Sequence, residues 1–516
     1  MARTPLLNML LNLSRERAAA ERSARARNRP GSASIGRRTV LRGAAGIALA
    51  SALPLAGLAA TARIAVVGAG LAGLTAARDL RKAGLNPDVY EGSTRIGGRC
   101  YSARGIFGDG QVAEHGGEFI DSDHKEIRDL AKDLGLALDD VLKAKPPNTH
   151  SLYLFNDRPY NLADATRDWQ PLYPILQAQN AALGEYGYQG ANAEARRFDA
   201  MTIAQWVGAY VPGGRGGQLG QLIETAFAEE NGADSDQQSA LNVISVLAVD
   251  KRSHFNLYST ESDQRFHVRG GNDQIAALLA KSIGDNIRTA APLVAITSLP
   301  DGKVRLSFKR DSGIGDAVYD RVILALPFSV MRVAVDCKQA GFRPLKNQAI
   351  ATLPMGASTK FQLQFTRRAW TDAGCSGEMR VPSQTFQTTW EVSRAQPGTR
   401  GILNFFSGGT RAINAGKTDS VTLASTVMGD AAPITPGLSE IWTGLMIKDA
   451  WKNNPWSLGS YSYYSPGYQT TVCGIERERE GNCFFAGEHT ADQGGFLNSG
   501  VQTGMRAARE VIASLR

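Results

Sequence analysis

Apolar and polar positions in residues 63–91 follow the order strand, glycine turn, helix and strand. Residues 64–67 form a short apolar run with two valines, which is typical of a strand buried on both faces. The pattern then predicts a helix from about residue 71 to residue 83 and a second strand that ends in the acid Glu91. This order predicts an α/β fold and describes one half of a dinucleotide-binding site.

Three glycines between the first strand and the helix support this interpretation. Gly68 permits the tight turn, Gly70 lets the backbone approach a pyrophosphate, and Gly73 lets the helix pack closely on the strand. The helix would direct its free N–H groups and the positive end of its dipole at that phosphate. Glu91 would accept the hydroxyls of an adenosine ribose and repel a 2′-phosphate, which argues against NADP.

The segment after the second strand carries a more specific signal. Its sequence, EGSTRIGGRCYS, resembles the acid-x(5)-GGR extension of the flavin amine oxidase family, to which monoamine, polyamine and L-amino-acid oxidases belong. Further segments are similar to that family, in the right order, along most of residues 63–516. They are EHGGEFID at 114–121, RGGNDQI at 269–275, APLVAI at 291–296, VILALP at 322–327, FFAGEHT at 484–490 and SGVQTGMRAAREVI at 499–512.

The resemblance implies FAD as the cofactor. It also implies a Rossmann-like FAD-binding domain interleaved with an α+β substrate-binding domain. We expect the first at 63–145, 262–330 and 452–516, and the second at 146–261 and 331–451. The residues expected to bind the cofactor are Gly68, Gly70, Gly73, Glu91, Gly98, Arg99, Gly116, Gly117, Glu118, Leu293, Gly487, Glu488, Phe496 and Leu497.

The same resemblance implies the residues nearest the reaction. Lys360, in LPMGASTKFQLQF, occupies the place of the lysine that holds a water against flavin N5 in this family. Tyr461 and Trp456, in WSLGSYSYY, and Phe496, in QGGFLNSG, match the aromatic positions that flank the substrate. Amine oxidation needs orientation, desolvation and an electron sink more than acid–base groups, so these residue types suit it.

Departures from the family pattern also predict properties. Ser460 stands where monoamine oxidases carry the cysteine that bonds to flavin, so FAD should be noncovalent. Phe119 stands where venom-type L-amino-acid oxidases carry the arginine that binds a substrate carboxylate, and Arg269 is a candidate replacement. Asp121 matches an acidic position of polyamine oxidases, and with Phe119, Tyr461 and Trp456 we expect it to bind substrate. An acidic cluster at 229–236 is explained by a solvated loop or by an entrance for cations.

The net charge of +8 reflects the start of the chain. Residues 1–42 hold ten of the 57 basic but only two of the 49 acidic side chains, and residues 43–62 carry no charge, so residues 63–516 hold 47 charges of each sign. No nucleic-acid partner is implied. SIGRRTVL at 34–41 resembles a twin-arginine signal, so we expect residues 1–62 to be a basic extension and export signal. The chain would reach the periplasm or the medium through the twin-arginine machinery; a membrane-anchoring helix is the alternative.

Five cysteines at 100, 337, 375, 473 and 483 show no zinc-like spacing, so no metal site is predicted. Cys375 could be exposed in the loop TDAGCSGE, whereas Cys483 is expected in the core.

Together these patterns favour FAD-dependent oxidation of a cationic amine or a basic L-amino acid. The imine would hydrolyse to a carbonyl compound or 2-oxo acid, and O2 would be reduced to H2O2. A flavin dehydrogenase that reduces a quinone or other carrier is one alternative, and an exported flavin-binding protein without turnover is another. The oligomeric state, a homodimer included, is left open.

Overall fold

The computed structural model describes residues 62–248, 263–381 and 383–516, so the predicted export signal lies outside the described residues. A parallel sheet of five strands draws on distant parts of the chain. In spatial order the strands are Cys483–Phe485, Arg321–Leu324, Ile64–Val67, Asp88–Tyr90 and Ile287–Arg288. The strand predicted at 64–67 is confirmed in the middle of this sheet, where all four of its residues are buried.

Four helices pack with this sheet. The helix predicted after the first strand spans Leu71–Lys82 and packs against the C-terminal helix Leu497–Ser514 and against Gln274–Ile283. Helix Lys125–Asp133 contacts the C-terminal helix. Their buried faces share one apolar cluster with alternate residues of the strands, as expected for helices that cover a parallel sheet.

A second sheet has the strand order Gly313–Tyr319, Val304–Arg310, Leu293–Ser298 and Asp336–Gln339. The first three strands are antiparallel, and the last runs parallel to the third. Its apolar side chains join those of the central sheet in a common core cluster.

A third, antiparallel sheet has the order Thr388–Glu391, Gly401–Gly408, Ser358–Phe365 and Trp442–Ala450. All eight residues of its Ser358–Phe365 strand are buried. The strand therefore carries Lys360 into the interior, where a charged side chain needs polar partners.

The described part of residues 162–248 is mainly helical. The helices are Leu162–Trp169, Leu172–Leu183, Ala193–Ala200, Ile203–Tyr210, Gln218–Asn231 and Leu241–Leu247. The solvated-loop interpretation of the acidic cluster is wrong for Glu229 and Glu230, because both lie in the last turn of a helix and are at most 1% exposed.

The remaining strands and α-helices of the described residues complete the fold. The strands are Ser102–Ala103, Ala113–Glu114, Leu138–Asp140, His150–Phe155, Arg158–Pro159, Phe266–Val268 and Cys375–Arg380. The helices are Phe328–Ala334, Pro344–Thr352, Gly409–Lys417, Ser420–Ala431 and Leu438–Ile441.

The five cysteines are free thiols in the structure. Burial of Cys483 is confirmed, but the expected exposure of Cys375 is wrong, since it begins a strand that pairs with His150 and is fully buried. Among the described residues, no helix combines the length and the apolar character that crossing a membrane would require.

Candidate active site

One large cavity, with an empty volume of about 1930 Å³ counted out to its open mouth, collects residues from all three sheets. Of the residues predicted to bind cofactor or substrate, all but Gly73 and the suggested carboxylate anchor Arg269 line it. The folded chain thus brings together positions as far apart in sequence as Gly68 and Leu497, a separation of 429 residues.

The glycine turn forms one part of the wall. Gly68 has φ +104°, which disfavours a side chain, and a Cβ on Gly73 would lie 1.8 Å from the carbonyl oxygen of Gly68. Gly73 therefore lets the helix pack closely against the turn and does not line the cavity. At Gly70 no atom of the described residues, its own chain neighbours aside, lies within 4 Å of where a Cβ would be, so the space in front of it is open to a ligand.

Glu91 directly follows the strand Asp88–Tyr90 and is 8% exposed. Its Oε2 accepts the N–H of Ala69 at 2.8 Å and its Oε1 accepts the N–H of Ser93 at 2.9 Å. A carboxylate has about four acceptor sites, so both oxygens retain capacity for the hydroxyls of a ribose. This position fits the adenosine end of a dinucleotide.

Arg99 connects the GGR loop to the C-terminal part of the wall. Its Nη1 donates to the Ser460 carbonyl at 2.6 Å and to Glu488 Oε1 at 3.0 Å. Glu488 also accepts the hydroxyl of Ser462 and the N–H of Gly495. Burial acts to raise the pKa of Glu488, but Arg99 and these hydrogen bonds outweigh it, so the pKa falls below its ordinary value. Glu488 is therefore ionised at neutral pH.

Lys360 is 4% exposed, and each of its three N–H groups has a protein acceptor. They are the carbonyl of Glu114 at 2.8 Å, the carbonyl of Gly116 at 3.2 Å and Oε2 of Glu118 at 2.7 Å. An ammonium group has three donors, so holding a water as well requires one contact to lengthen. The contact with Gly116 is the longest and the one best placed to give way.

Aromatic side chains surround this ion pair. Trp390 donates its Nε1–H to Glu118 Oε1 at 3.1 Å and packs against the rings of Phe119 and Phe406, with centroids 5.8 and 5.1 Å away. Trp390 and Phe406 both line the cavity and were missed by sequence reasoning. Both lie on strands, where the pairing of the sheet decides which face meets the cavity.

Tyr461 and Phe496, expected to flank the substrate, both line the cavity. The Tyr461 hydroxyl donates to the carbonyl of Glu229 at 2.9 Å and accepts from Ser358 at 3.1 Å, so its ring is fixed. Phe496 meets the ring of His124 edge-on at 5.0 Å.

Trp456 occupies a different place from the one expected. A Cβ added to Gly92 would lie 2.6 Å from its ring, and the residue is 45% exposed. It therefore belongs to the wall beside Glu91, at the nucleotide end of the cavity.

Asp121 is 1% exposed, lines the cavity and accepts the N–H of Gln264 at 2.8 Å. Its other oxygen lies 3.7 Å from Nε2 of His124, and burial lowers the pKa of His124 to about 3, so that ring is uncharged at neutral pH. Ligand atoms of Asp121, Asp123 and His124 lie within 4.8 Å of one another, a grouping that residue spacing did not indicate.

Arg269 is not the anchor that was suggested for a substrate carboxylate. It pairs with Asp139 at 2.8 Å, its side chain is 69% exposed, and it does not line the cavity.

Comparison with known proteins finds relatives of this chain. The model of the family described as flavin containing amine oxidoreductase matches residues 71–512. The chain is 24% identical over 485 residues to a flavin-containing amine oxidase of Danio rerio, and the match covers 88% of this chain and 86% of that protein. It is also 24% identical over 486 residues to the flavin-dependent L-tryptophan oxidase RebO of Lentzea aerocolonigenes, covering 87% and 98% respectively.

A solved structure of wild-type putrescine oxidase bound to putrescine superposes with a TM-score of 0.73 at 22% identity. The match covers 88% of this chain and 99% of that chain, which shows a common fold.

Proposed function

This chain belongs to the flavin-containing amine oxidoreductase family, and we propose that it oxidises the amino group of a cationic amine or a basic L-amino acid. The product is an imine, which water converts to a carbonyl compound or a 2-oxo acid, and O2 takes the electrons to give H2O2. We further propose that FAD, the cofactor expected for the family, is held without a covalent bond.

One observation carries the proposal: Gly68, Gly70 and Glu91 of the predicted dinucleotide site line the same cavity as Lys360. The open space at Gly70 and the spare acceptor sites of Glu91 fit the phosphate and ribose of FAD. Ser460 has a hydroxyl and no thiol where a covalent link would form, and that hydroxyl donates to the carbonyl of Gly356 at 3.1 Å. When bound, FAD supplies the acceptor for the hydride that leaves the amine-bearing carbon.

The protein's own residues orient the amine and keep water out. Tyr461 and Phe496 line the cavity, and the Tyr461 hydroxyl is held by two hydrogen bonds, so its ring keeps its orientation. Trp390, Phe406 and Phe119 make the adjoining wall apolar. Such a wall favours the neutral amine, the form that can lose a hydride, over the ammonium ion.

The preference for a cationic substrate rests on Asp121. A buried carboxylate that lines the cavity, beside an uncharged His124, attracts a positive group at the distal end of a substrate. Putrescine, the molecule bound to the similar putrescine oxidase, is a diamine of that kind, whereas the similar L-tryptophan oxidase is named for an amino acid. Both classes therefore belong in the test.

The experiment measures H2O2 release in air and dye reduction under argon with the purified holoenzyme. The panel pairs aliphatic diamines and L-lysine with neutral-tailed amines and L-leucine, and the FAD-free protein is the blank. Peroxide with the cationic members supports the proposal. Dye reduction without peroxide would show that the protein is a dehydrogenase and not an oxidase. Preference for the neutral members would refute the proposed substrate class, and absence of turnover in both assays would refute enzyme function.

A further inference from the structure

Lys360 and Glu118 form a buried ion pair, and each of the two side chains also makes hydrogen bonds to other protein groups. Lys360 Nζ lies 2.7 Å from Glu118 Oε2, with side chains 5% and 6% exposed. Its other two acceptors, the carbonyls of Glu114 and Gly116, carry no net charge. In the described part of the chain, Glu118 is thus the acidic side chain that balances the ammonium group by direct contact.

Trp390 holds the acid from the other side. Its Nε1–H donates to Glu118 Oε1, so the two carboxylate oxygens face different partners. The carboxylate cannot rotate toward one partner without losing the other. Strand pairing fixes both partners, because Lys360 and Trp390 lie on strands that flank the same middle strand, Gly401–Gly408.

We propose that Glu118 is a positioning residue that fixes the ammonium group of Lys360 and cancels its charge toward the bound FAD. This inference rests on the proposed function, since it assumes that FAD occupies the cavity that both residues line. It also distinguishes the two acids of the wall: Glu118 pairs with the lysine, whereas Asp121 contacts Gln264 and His124.

The charge balance has a measurable consequence. Reduced flavin carries negative charge, so a positive charge in a poorly screened cavity favours reduction, and an unbalanced negative charge opposes it. The reduction equilibrium of bound FAD therefore reports whether Glu118 cancels Lys360. This equilibrium needs no amine, so absence of turnover would refute the proposed function without affecting the result.

The test measures the reduction equilibrium of bound FAD against a reference dye in five variants, each with its FAD content and melting temperature. Glu118→Gln keeps the size of the side chain and removes its charge, and Lys360→Met removes the opposite charge. The double variant removes both. Asp449→Asn is the matched control, because Asp449 lies opposite Lys360 in the strand register but bonds to His115.

We expect Glu118→Gln to shift the equilibrium toward reduced flavin by at least about tenfold, which is about 30 mV for a two-electron couple. Lys360→Met should shift it the other way, the double variant should return near the wild type, and Asp449→Asn should change it less than threefold. If Glu118→Gln does not retain FAD, the shift toward reduced flavin between Lys360→Met and the double variant tests the same charge cancellation.

The proposal is overturned if the equilibrium is unchanged in Glu118→Gln, or if the two single variants shift it in the same direction. It is also overturned if the double variant is no nearer the wild type than Lys360→Met, or if Asp449→Asn shifts the equilibrium as much as Glu118→Gln does. Trp390→Phe, which keeps every charge and removes only the N–H donor, should change the equilibrium less than threefold. A tenfold shift there would show that packing, and not charge, sets the equilibrium.

Discussion

Replacing Asp121 by Asn tests the assignment of charge selection to that side chain. The change preserves size, and the amide oxygen can still accept the N–H of Gln264 that Asp121 Oδ1 accepts at 2.8 Å. The local backbone contact should therefore survive, and the loss should be confined to the charge.

The magnitude follows from burial. Asp121 is 1% exposed, so water screens little of the attraction between its carboxylate and a substrate cation. A hydrogen bond to a charged group contributes about 1.5 to 3 kcal/mol. At 1.36 kcal/mol for each factor of ten, kcat/KM for a cationic substrate should fall roughly 10- to 150-fold.

The assay compares kcat/KM for a diamine and for a neutral-tailed amine at two salt concentrations. A buried pair should lose little with salt, whereas a diffuse acidic entrance should weaken strongly. Asp123→Asn is the matched control, since Asp123 belongs to the same cluster but does not line the cavity. Equal losses for the charged and neutral substrates, or an Asp123→Asn loss as large, would refute the reasoning and assign Asp121 to structure.

Three further predictions concern other residues. Acid denaturation of the holoenzyme should release free FAD, because Ser460 cannot form a thioether; flavin that precipitates with the protein contradicts this. Lys360→Met should slow flavin reoxidation by O2 at least about tenfold, or roughly 1.4 kcal/mol of barrier, and unchanged stopped-flow traces would make the ammonium group dispensable. Changing both Arg37 and Arg38 to Lys should retain the protein in the cytoplasm, and undiminished activity outside it would indicate another route.

Local pattern alone located the nucleotide cradle. The apolar run at 64–67, the glycine turn and Glu91 lie within 28 residues, and their conformations depend mainly on neighbours in sequence. The resemblance of ordered segments then supplied Lys360, Tyr461 and Phe496, which the fold does bring into one cavity.

Residues whose role depends on strand pairing could not be found in this way. Trp390 and Phe406 enter the wall because their strands pair in a register that turns them toward Lys360. Trp456 was misplaced for the same kind of reason: its motif gave its order along the chain, but its ring lies against Gly92, more than 360 residues earlier.

The sequence by itself therefore determined the class of fold and the nucleotide-binding turn, because these depend on short motifs whose backbone geometry is local. The resemblance of its ordered segments to a known family added the flavin and the candidate lysine. Only the tertiary structure decided how charges are paired. It pairs Glu118 with Lys360, places Asp121 beside an uncharged His124, and pairs Arg269 with Asp139 at the surface. Charge pairing is a property of distance and burial, and both arise only when strands far apart in the chain meet.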